Sequence, residues 1–178
     1  IPLGAGGRVV RLSGKLFEAV SAAIHRRPRS DLYHAALQVM TPDGRFVVEQ
    51  APVPDADGTR RGVVAAGPVG VRQAGRFRWF RYEVRCWRNG SIPDVDAAVE
   101  TTRVSDDPAV CAQIVELLPT IPTPTWGRDE LRAGEMWNSN SIVAWVLSRA
   151  GVDLTGVGPP PGGRAPGWEA GEVVAARP

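Results

Sequence analysis

The chain has 178 residues, 43% of them hydrophobic and 22% charged, so it is large enough to bury a core as a single domain, residues 1–178. Its formal net charge of +2 is too balanced for a dedicated nucleic-acid-binding protein, and nucleic acid is not an expected partner. The only cysteines, Cys86 and Cys111, provide neither a disulfide framework nor the ligand spacing of a zinc site. We therefore expect no metal and no cofactor.

No apolar run approaches the roughly 18 residues of a membrane-spanning helix, so no membrane span is expected. The sequence begins at Ile1 without the basic and apolar regions of a signal peptide. Because the first residue is not Met, both a cytoplasmic location and, if a signal was removed, a secreted one stay open. We treat the chain as a monomeric domain, although composition does not determine the oligomeric state.

The first predicted element is an amphipathic helix over residues 13–27, with Ser13 as its cap and apolar residues at helical spacing: Leu16, Phe17, Val20 and Ile24. Next, "DLYHAALQVM" and "RFVVEQAPV" predict a β-hairpin joined by "TPDG". Pro42 and Asp43 fit a type I turn, and Gly44 fits the left-handed position after it.

Two further strands and a helix follow. "RGVVAAGPVGVR" predicts a strand, and "GRFRWFRYEVRCWRNG" predicts a long strand with a bulge at Trp79 and Phe80, where the alternation changes phase. A helix is predicted to open at Asp107 and Pro108 and to stop at Pro119. Its apolar stripe consists of Val110, Cys111, Ile114, Val115 and Leu118.

Residues 119–134 are rich in proline and turn formers and predict an ordered loop. A third helix follows "NSNS" and ends at Gly151; its apolar face consists of Ile142, Val143, Val146, Leu147 and Ala150. The core is expected within about residues 12–151, and residues 152–178 are predicted to be an irregular Gly/Pro-rich tail. The pattern indicates an α+β domain with an antiparallel sheet and packed helices.

The four polar residues Asn138, Ser139, Asn140 and Ser141 allow two interpretations. They are typical of helix caps, which spacing alone favours. They are also suited to a nucleophilic hydroxyl at a helix N-terminus, where amide donors stabilise an anion.

A serine nucleophile needs a base, and the chain has two histidines. His25 is flanked by Arg26 and Arg27 and is expected to be a solvated cation. His34 lies in an apolar strand, where it is either a base or an ordinary hydrogen-bonded residue of the core or its rim.

"YHAALQV", followed about a hundred residues later by "NSNSIVAWVL", resembles the circularly permuted papain-like superfamily, which includes the lecithin:retinol acyltransferase-like enzymes. The resemblance covers about residues 30–150. The motif is also similar to that of an uncharacterised bacterial family with Pro-Asn-Ser-Asn-[Ser/Thr]-Phe, with Trp137 here in place of the proline and Ile142 in place of the phenylalanine. The resemblance implies a permuted papain-like fold with His34 as base and Ser139 in the place of the usual cysteine.

That resemblance implies a hydrolase or acyltransferase acting on an amide, ester or thioester of a peptide, lipid or cell-wall substrate. Ser139 is then a native serine nucleophile, an engineered replacement of cysteine, or the mark of a fold that has lost catalysis. The alternative function is a non-catalytic binding module that uses the same groove. Expected substrate contacts are Asn138, Asn140, Trp137 and Trp126.

A third polar residue should orient His34, and the hairpin register decides which one. A three-residue loop pairs Thr41 with Arg45 and puts Gln50 on the face of His34, whereas a loop of Asp43 and Gly44 puts Glu49 there. The turn chemistry favours Gln50 as the catalytic partner over Glu49.

The strand predicted from "GRFRWFRYEVRCWRNG" is rich in arginine and aromatic residues. It also suggests a basic, stacking surface for single-stranded nucleic acid or an anionic lipid surface. The favoured interpretation is a half-buried strand with its arginines on the solvent face. The tryptophans around the motif and the tail are expected to line an apolar groove or to pack in the core: Trp126, Trp137, Trp145 and Trp168.

Overall fold

A computed structural model describes residues 1–3, 18–19, 22–23, 26–53, 62–92 and 94–178. Most of the helix predicted over residues 13–27, including His25, lies outside these residues. Within them the fold is α+β, as predicted, with six strands and three α-helices. The strands are β1 (Asp31–Leu32), β2 (Leu37–Thr41), β3 (Gly44–Pro52), β4 (Val63–Pro68), β5 (Arg81–Arg88) and β6 (Gly163–Arg164); the helices are α1 (Pro108–Leu117), α2 (Ser139–Arg149) and α3 (Trp168–Ala175).

The main sheet is antiparallel with strand order β2-β3-β5-β4, while β1 and β6 form a separate parallel pair. β2 and β3 make the predicted hairpin, but the predicted pairing of Thr41 with Arg45 is wrong. Thr41 pairs with Gly44, so only Pro42 and Asp43 form the loop. Gly44 has φ +124°, which favours glycine, and its backbone already takes a paired position.

The predicted strand "DLYHAALQVM" is interrupted at residues 34–36, between β1 and β2. The amides at this interruption and just before it bond away from the main sheet. Tyr33 N–H donates to the carbonyl of Arg164, and Ala35 N–H donates to the side chain of Asn140. Because these donors are satisfied elsewhere, the ladder with β3 begins only at Leu37. His34 therefore lies in the connection between the two sheets.

The long strand predicted from residue 75 begins only at Arg81. The preceding residues form two 3₁₀ turns, Arg72–Arg76 and Arg78–Phe80. The phase change at Trp79 and Phe80 therefore marks the end of these turns rather than a bulge. The strand predicted before them is present as β4, and it is β4 that carries an irregularity in register, between Val63 and Ala65.

Local capping chemistry determines α1 and α2 as predicted. Asp107 caps α1 by accepting a hydrogen bond of 2.8 Å from Ala109 N–H, and Pro108 is the first helical residue. Beyond α2, Gly151 has φ +77° and donates to the carbonyl of Ser148, while Val152 N–H donates to the carbonyl of Leu147. This pair of bonds is a Schellman motif, which ends the helix.

The prediction of an irregular tail is wrong for residues 168–175, which form α3 and pack on α2. The close approach depends on Gly171, where a Cβ atom would lie 2.3 Å from the carbonyl oxygen of Ser141. A helix of eight residues has little periodic signal of its own, so its stability comes from this tertiary contact.

α2 is the centre of the core, with every residue from Asn140 to Leu147 buried. Its neighbours include β3, α1 and α3. A helix buried on all sides has no solvent-facing stripe, which explains why apolar residues such as Trp145 lie outside its predicted face. In the part of the chain that the structure describes, no helix is long and apolar enough to cross a membrane.

Candidate functional site

The N-terminus of α2 is closed by a capping box. The Asn138 side-chain oxygen accepts hydrogen bonds from the backbone N–H groups of Asn140 (2.9 Å) and Ser141 (3.4 Å). In return, Ser141 Oγ accepts a 3.1 Å hydrogen bond from Asn138 N–H. Two members of the motif thus satisfy amides that the first helical turn leaves without partners.

The same two side chains also hold the segment before α3. Ser141, which is fully buried, donates from Oγ to the carbonyl of Gly167 at 2.7 Å. The Asn138 amide donates to the carbonyl of Pro166 at 2.8 Å. Asn138 and Ser141 therefore have structural tasks that account for their side chains.

Asn140 fixes the backbone on both sides of His34. Its side chain is buried, and its oxygen accepts a 2.7 Å hydrogen bond from Ala35 N–H. Its NH₂ group donates to the carbonyls of Tyr33 (3.1 Å) and Pro166 (2.9 Å). The start of α2 and the His34 connection are thereby joined through one buried amide.

The His34 imidazole is paired with a carboxylate that the sequence did not indicate. Nε2 of His34 lies 2.9 Å from Oδ2 of Asp94, and the two side chains are 20% and 13% exposed. Asp94 directly precedes the 3₁₀ turn Val95–Ala97 and follows the buried Ile92 closely in sequence. Among the described residues, Asp94 is the side chain that bonds His34.

The predicted orienting residues Gln50 and Glu49 have no described hydrogen bond to His34. With Thr41 paired to Gly44, the register places Gln50 on the face of Leu37 rather than that of His34. The side-chain nitrogen and oxygen of Gln50 are buried and have no hydrogen-bond partner among the described residues. Glu49 lies on the other face, the one that the alternation assigns to His34 and that the two-residue loop predicted, but its carboxylate accepts a 3.4 Å hydrogen bond from Arg85.

His34 and Asn140 line one cleft of about 170 Å³. Glu100 and Thr102 add polar groups, and the remaining walls are mainly apolar. The apolar residues include Val99, Val104, Val143, Leu147, Val157 and Trp168. A basic imidazole at the wall of an apolar cleft is suited to proton transfer with a bound organic substrate.

Ser139 is the first residue of α2 and is half-buried. No hydrogen bond of the described residues involves its hydroxyl or its backbone N–H, so within the motif this side chain has no structural task. The described hydrogen bonds also do not join Ser139 to His34, and Ser139 is not among the residues that line the cleft.

The two tryptophans predicted to contact substrate take the packing alternative. Trp137 is 2% exposed and belongs to the core. Trp126 packs edge-on against Tyr82, with ring centroids 5.8 Å apart, and its backbone bridges to Val69. Neither indole lines the cleft of His34.

Among the described residues, no group of three His, Cys, Asp or Glu side chains could hold a metal ion. Comparisons with protein-family models, with curated proteins and with solved structures find no match for this chain.

Proposed function

We propose that the chain is a hydrolase or acyltransferase of permuted papain-like arrangement, acting on an amide, ester or thioester. The observation that carries this proposal is the 2.9 Å contact of His34 with Asp94 at the wall of an apolar cleft, with the His34 connection bonded to α2 through Asn140. Ser139 is the proposed nucleophile, because it begins that helix and its hydroxyl is the one in the motif not used for structure.

The contact with Asp94 assigns different tasks to the two imidazole nitrogens. Nε2–H donates to the Asp94 carboxylate, which fixes the ring and leaves Nδ1 as the basic nitrogen. As Ser139 Oγ attacks the carbonyl carbon, its proton passes to Nδ1. The imidazolium then returns the proton to the leaving amine, alcohol or thiol, and an acyl group remains on Ser139.

Release of the acyl group repeats these steps with a second nucleophile. Water attacks the acyl-serine and loses its proton to Nδ1 in a hydrolase, whereas an acceptor alcohol or amine does so in an acyltransferase. The apolar walls of the cleft favour an acyl or other apolar group beside His34, which is compatible with lipid, peptide and cell-wall substrates.

The helix start provides a donor for the oxyanion. The amides of Asn140 and Ser141 already donate to Asn138, so they are occupied. The Ser139 N–H has no described partner and lies at the positive end of α2. We expect this amide to stabilise the negative charge that develops on the substrate carbonyl oxygen.

The test is covalent labelling with a fluorophosphonate probe, followed by peptide mapping. We expect modification at Ser139 and a sharp loss of labelling in His34→Ala, because an unactivated hydroxyl is a poor nucleophile. Ser148→Ala is the matched control, since Ser148 lies near the other end of the same helix. Folded protein that stays unlabelled across a broad set of acylating and phosphonylating probes would contradict the proposal.

One observation favours the second function, a non-catalytic binding module. Ser139 does not line the cleft and has no described bond to His34, so the cleft and the motif are separable. In such a module, ligands of the cleft would bind with equal affinity to Ser139→Ala and to the wild type, and no probe would label Ser139.

A further inference from the structure

Residues 71–81, the arginine-aromatic segment, are more exposed than the favoured interpretation of a half-buried strand predicted. A half-buried strand would turn its aromatic side chains inward, but here both residue types face solvent. Trp79 is 77% exposed, Phe77 51% and Phe80 49%, and Val71 beside them is 50% exposed. The arginines of the segment, Arg72, Arg76, Arg78 and Arg81, are exposed as well.

This exposure follows from the two 3₁₀ turns that form the segment. Neither turn contains a buried residue. The turns are bonded into the fold at their ends, where Val69 N–H donates to the carbonyl of Phe80 and Arg128 Nε donates to the carbonyl of Gly70. The aromatic side chains therefore project from a braced loop rather than from the core.

The charge of the segment has one sign. It contains four arginines and no acidic residue. Hydrogen bonds from Thr125 lower the pKa of Glu130, and the nearby charge of Arg72 lowers it further. Among the described residues, the guanidinium groups of Arg76, Arg78 and Arg81 form no ion pair, and that of Arg76 lies 4.7 Å above the ring of Phe77.

We propose that this segment binds the surface of an anionic lipid bilayer. Trp and Phe partition to the region between head groups and acyl chains, and cationic side chains beside them are attracted to anionic lipids. Three exposed aromatic rings can enter the head-group region, and three arginines without an ion pair among the described residues can bind anionic head groups. Both contributions thus come from one short loop. Val71 adds an aliphatic side chain, which can enter a bilayer but cannot stack on a base.

The same features fit single-stranded nucleic acid less well. Binding of that kind needs a basic groove that follows several phosphates, with a base stacked on each ring. Here the four arginines of the segment lie within eleven residues, and the chain as a whole carries only +2. Such a short cluster matches a patch of a planar anionic surface better than the long track of an extended strand.

The test is sedimentation of the full chain with vesicles of phosphatidylcholine alone and with 30% phosphatidylserine. We expect binding only to the anionic vesicles and its loss at high salt. Arg76→Gln with Arg78→Gln should weaken binding about 30-fold, since each arginine near such a surface contributes a factor of about five. Arg29→Gln, an exposed arginine outside the segment, should have only the smaller effect of a distant charge.

Insertion of the ring is tested separately with brominated phosphatidylcholine mixed with phosphatidylserine. Trp79 should be quenched on binding, so the wild type should lose fluorescence that Trp79→Phe does not lose. Unchanged thermal unfolding of these variants would show that they remain folded.

Three outcomes would overturn the proposal. They are no binding to anionic vesicles, binding that the arginine and tryptophan variants leave unchanged, and preferential binding of a single-stranded oligonucleotide. The chain could instead self-associate without binding vesicles. If Trp79→Ser abolished that self-association, the segment would be a contact between copies of the chain.

Discussion

The carboxylate of Asp94 lies 2.9 Å from Nε2 of His34, across 60 residues of sequence. A carboxylate at this nitrogen holds the ring in one orientation and stabilises the imidazolium that forms when Nδ1 takes a proton. The proposed chemistry therefore depends on a loop that precedes a 3₁₀ turn, at a distance from the motif that first suggested a site.

We expect Asp94→Asn to slow Ser139 labelling and any turnover by roughly 100-fold or more, the scale of general acid–base catalysis. The amide can still occupy the space of the carboxylate, so the fold should persist, but the charge that stabilises imidazolium is gone. Asp96→Asn is the matched control, because Asp96 is exposed and lies two residues away. Rates for both variants come from probe labelling over time; equal rates in Asp94→Asn and wild type would rule out the orienting role.

Three variants separate the structural and chemical tasks of the motif. Asn140→Ala should destabilise the fold most, by about 2–4 kcal/mol, because it leaves the Ala35 N–H and the Tyr33 carbonyl without this partner, while the Pro166 carbonyl keeps its bond from Asn138. Asn138→Ala should cost about 0.5–2 kcal/mol as a lost cap. Ser139→Ala should change the free energy of unfolding by less than about 0.5 kcal/mol.

The same three proteins are measured by urea unfolding and by probe labelling. Labelling should vanish in Ser139→Ala and slow in Asn140→Ala, which frees the backbone on both sides of His34, while Asn138→Ala should lose it only as far as it unfolds. A large destabilisation in Ser139→Ala would mean that its hydroxyl has a structural partner after all, and full turnover in that variant would refute the nucleophile assignment.

The sequence predicted those features that depend on adjacent residues. Asp107 and Pro108 start α1, and Gly151 ends α2, because capping bonds form within one helical turn. The hairpin was also predicted, but its register differed by one residue, since Gly44 enters the pairing instead of the loop. This shift of one residue in the pairing places Gln50 on the face of Leu37 instead of the face of His34.

Features that depend on contacts between distant segments were not predictable. The sequence offers 19 acidic residues, and local pattern gives no reason to choose Asp94 among them as the partner of His34. The pattern from residue 75 onward indicated one long strand, yet the residues before Arg81 form two 3₁₀ turns. α3 was missed because its stability rests on contact with α2 rather than on its own periodicity.

Glu18 provides a prediction on pH and stability. Its buried carboxylate accepts hydrogen bonds from Arg27 Nη1 (2.6 Å) and Nη2 (3.0 Å) and from Ser30 N–H (2.7 Å). These bonds, above all those from Arg27, lower the pKa of Glu18 from 4.5 to about 2. Because the folded pKa lies below the unfolded one, the stabilisation is present above pH 4.5 and is lost as the pH falls toward 2.

We therefore expect the difference in unfolding free energy between wild type and Glu18→Gln to shrink by about 3 kcal/mol between neutral pH and pH 2. Urea unfolding at a series of pH values measures it. Glu116→Gln is the control, since it removes a carboxylate that is exposed on α1. A difference that is constant with pH would mean that the Glu18 carboxylate is not held by Arg27.

Ser139→Cys tests whether the site can support the thiolate chemistry that the papain-like resemblance implies. A thiol ionises far more readily than a hydroxyl, so under the proposed pairing with His34 the introduced thiol at the start of α2 should have a lowered pKa and react rapidly with iodoacetamide. Burial raises the pKa of Cys86, which makes that residue a slow internal reference in the same protein. Alkylation rates measured against pH by peptide mass spectrometry give the pKa of the introduced thiol. Adding His34→Ala to the variant should return this pKa toward the ordinary value of about 8.5, because the imidazolium that stabilises the thiolate is gone. A thiol with an ordinary pKa in both backgrounds would place His34 out of reach of residue 139, and the cleft would then serve binding rather than acyl transfer.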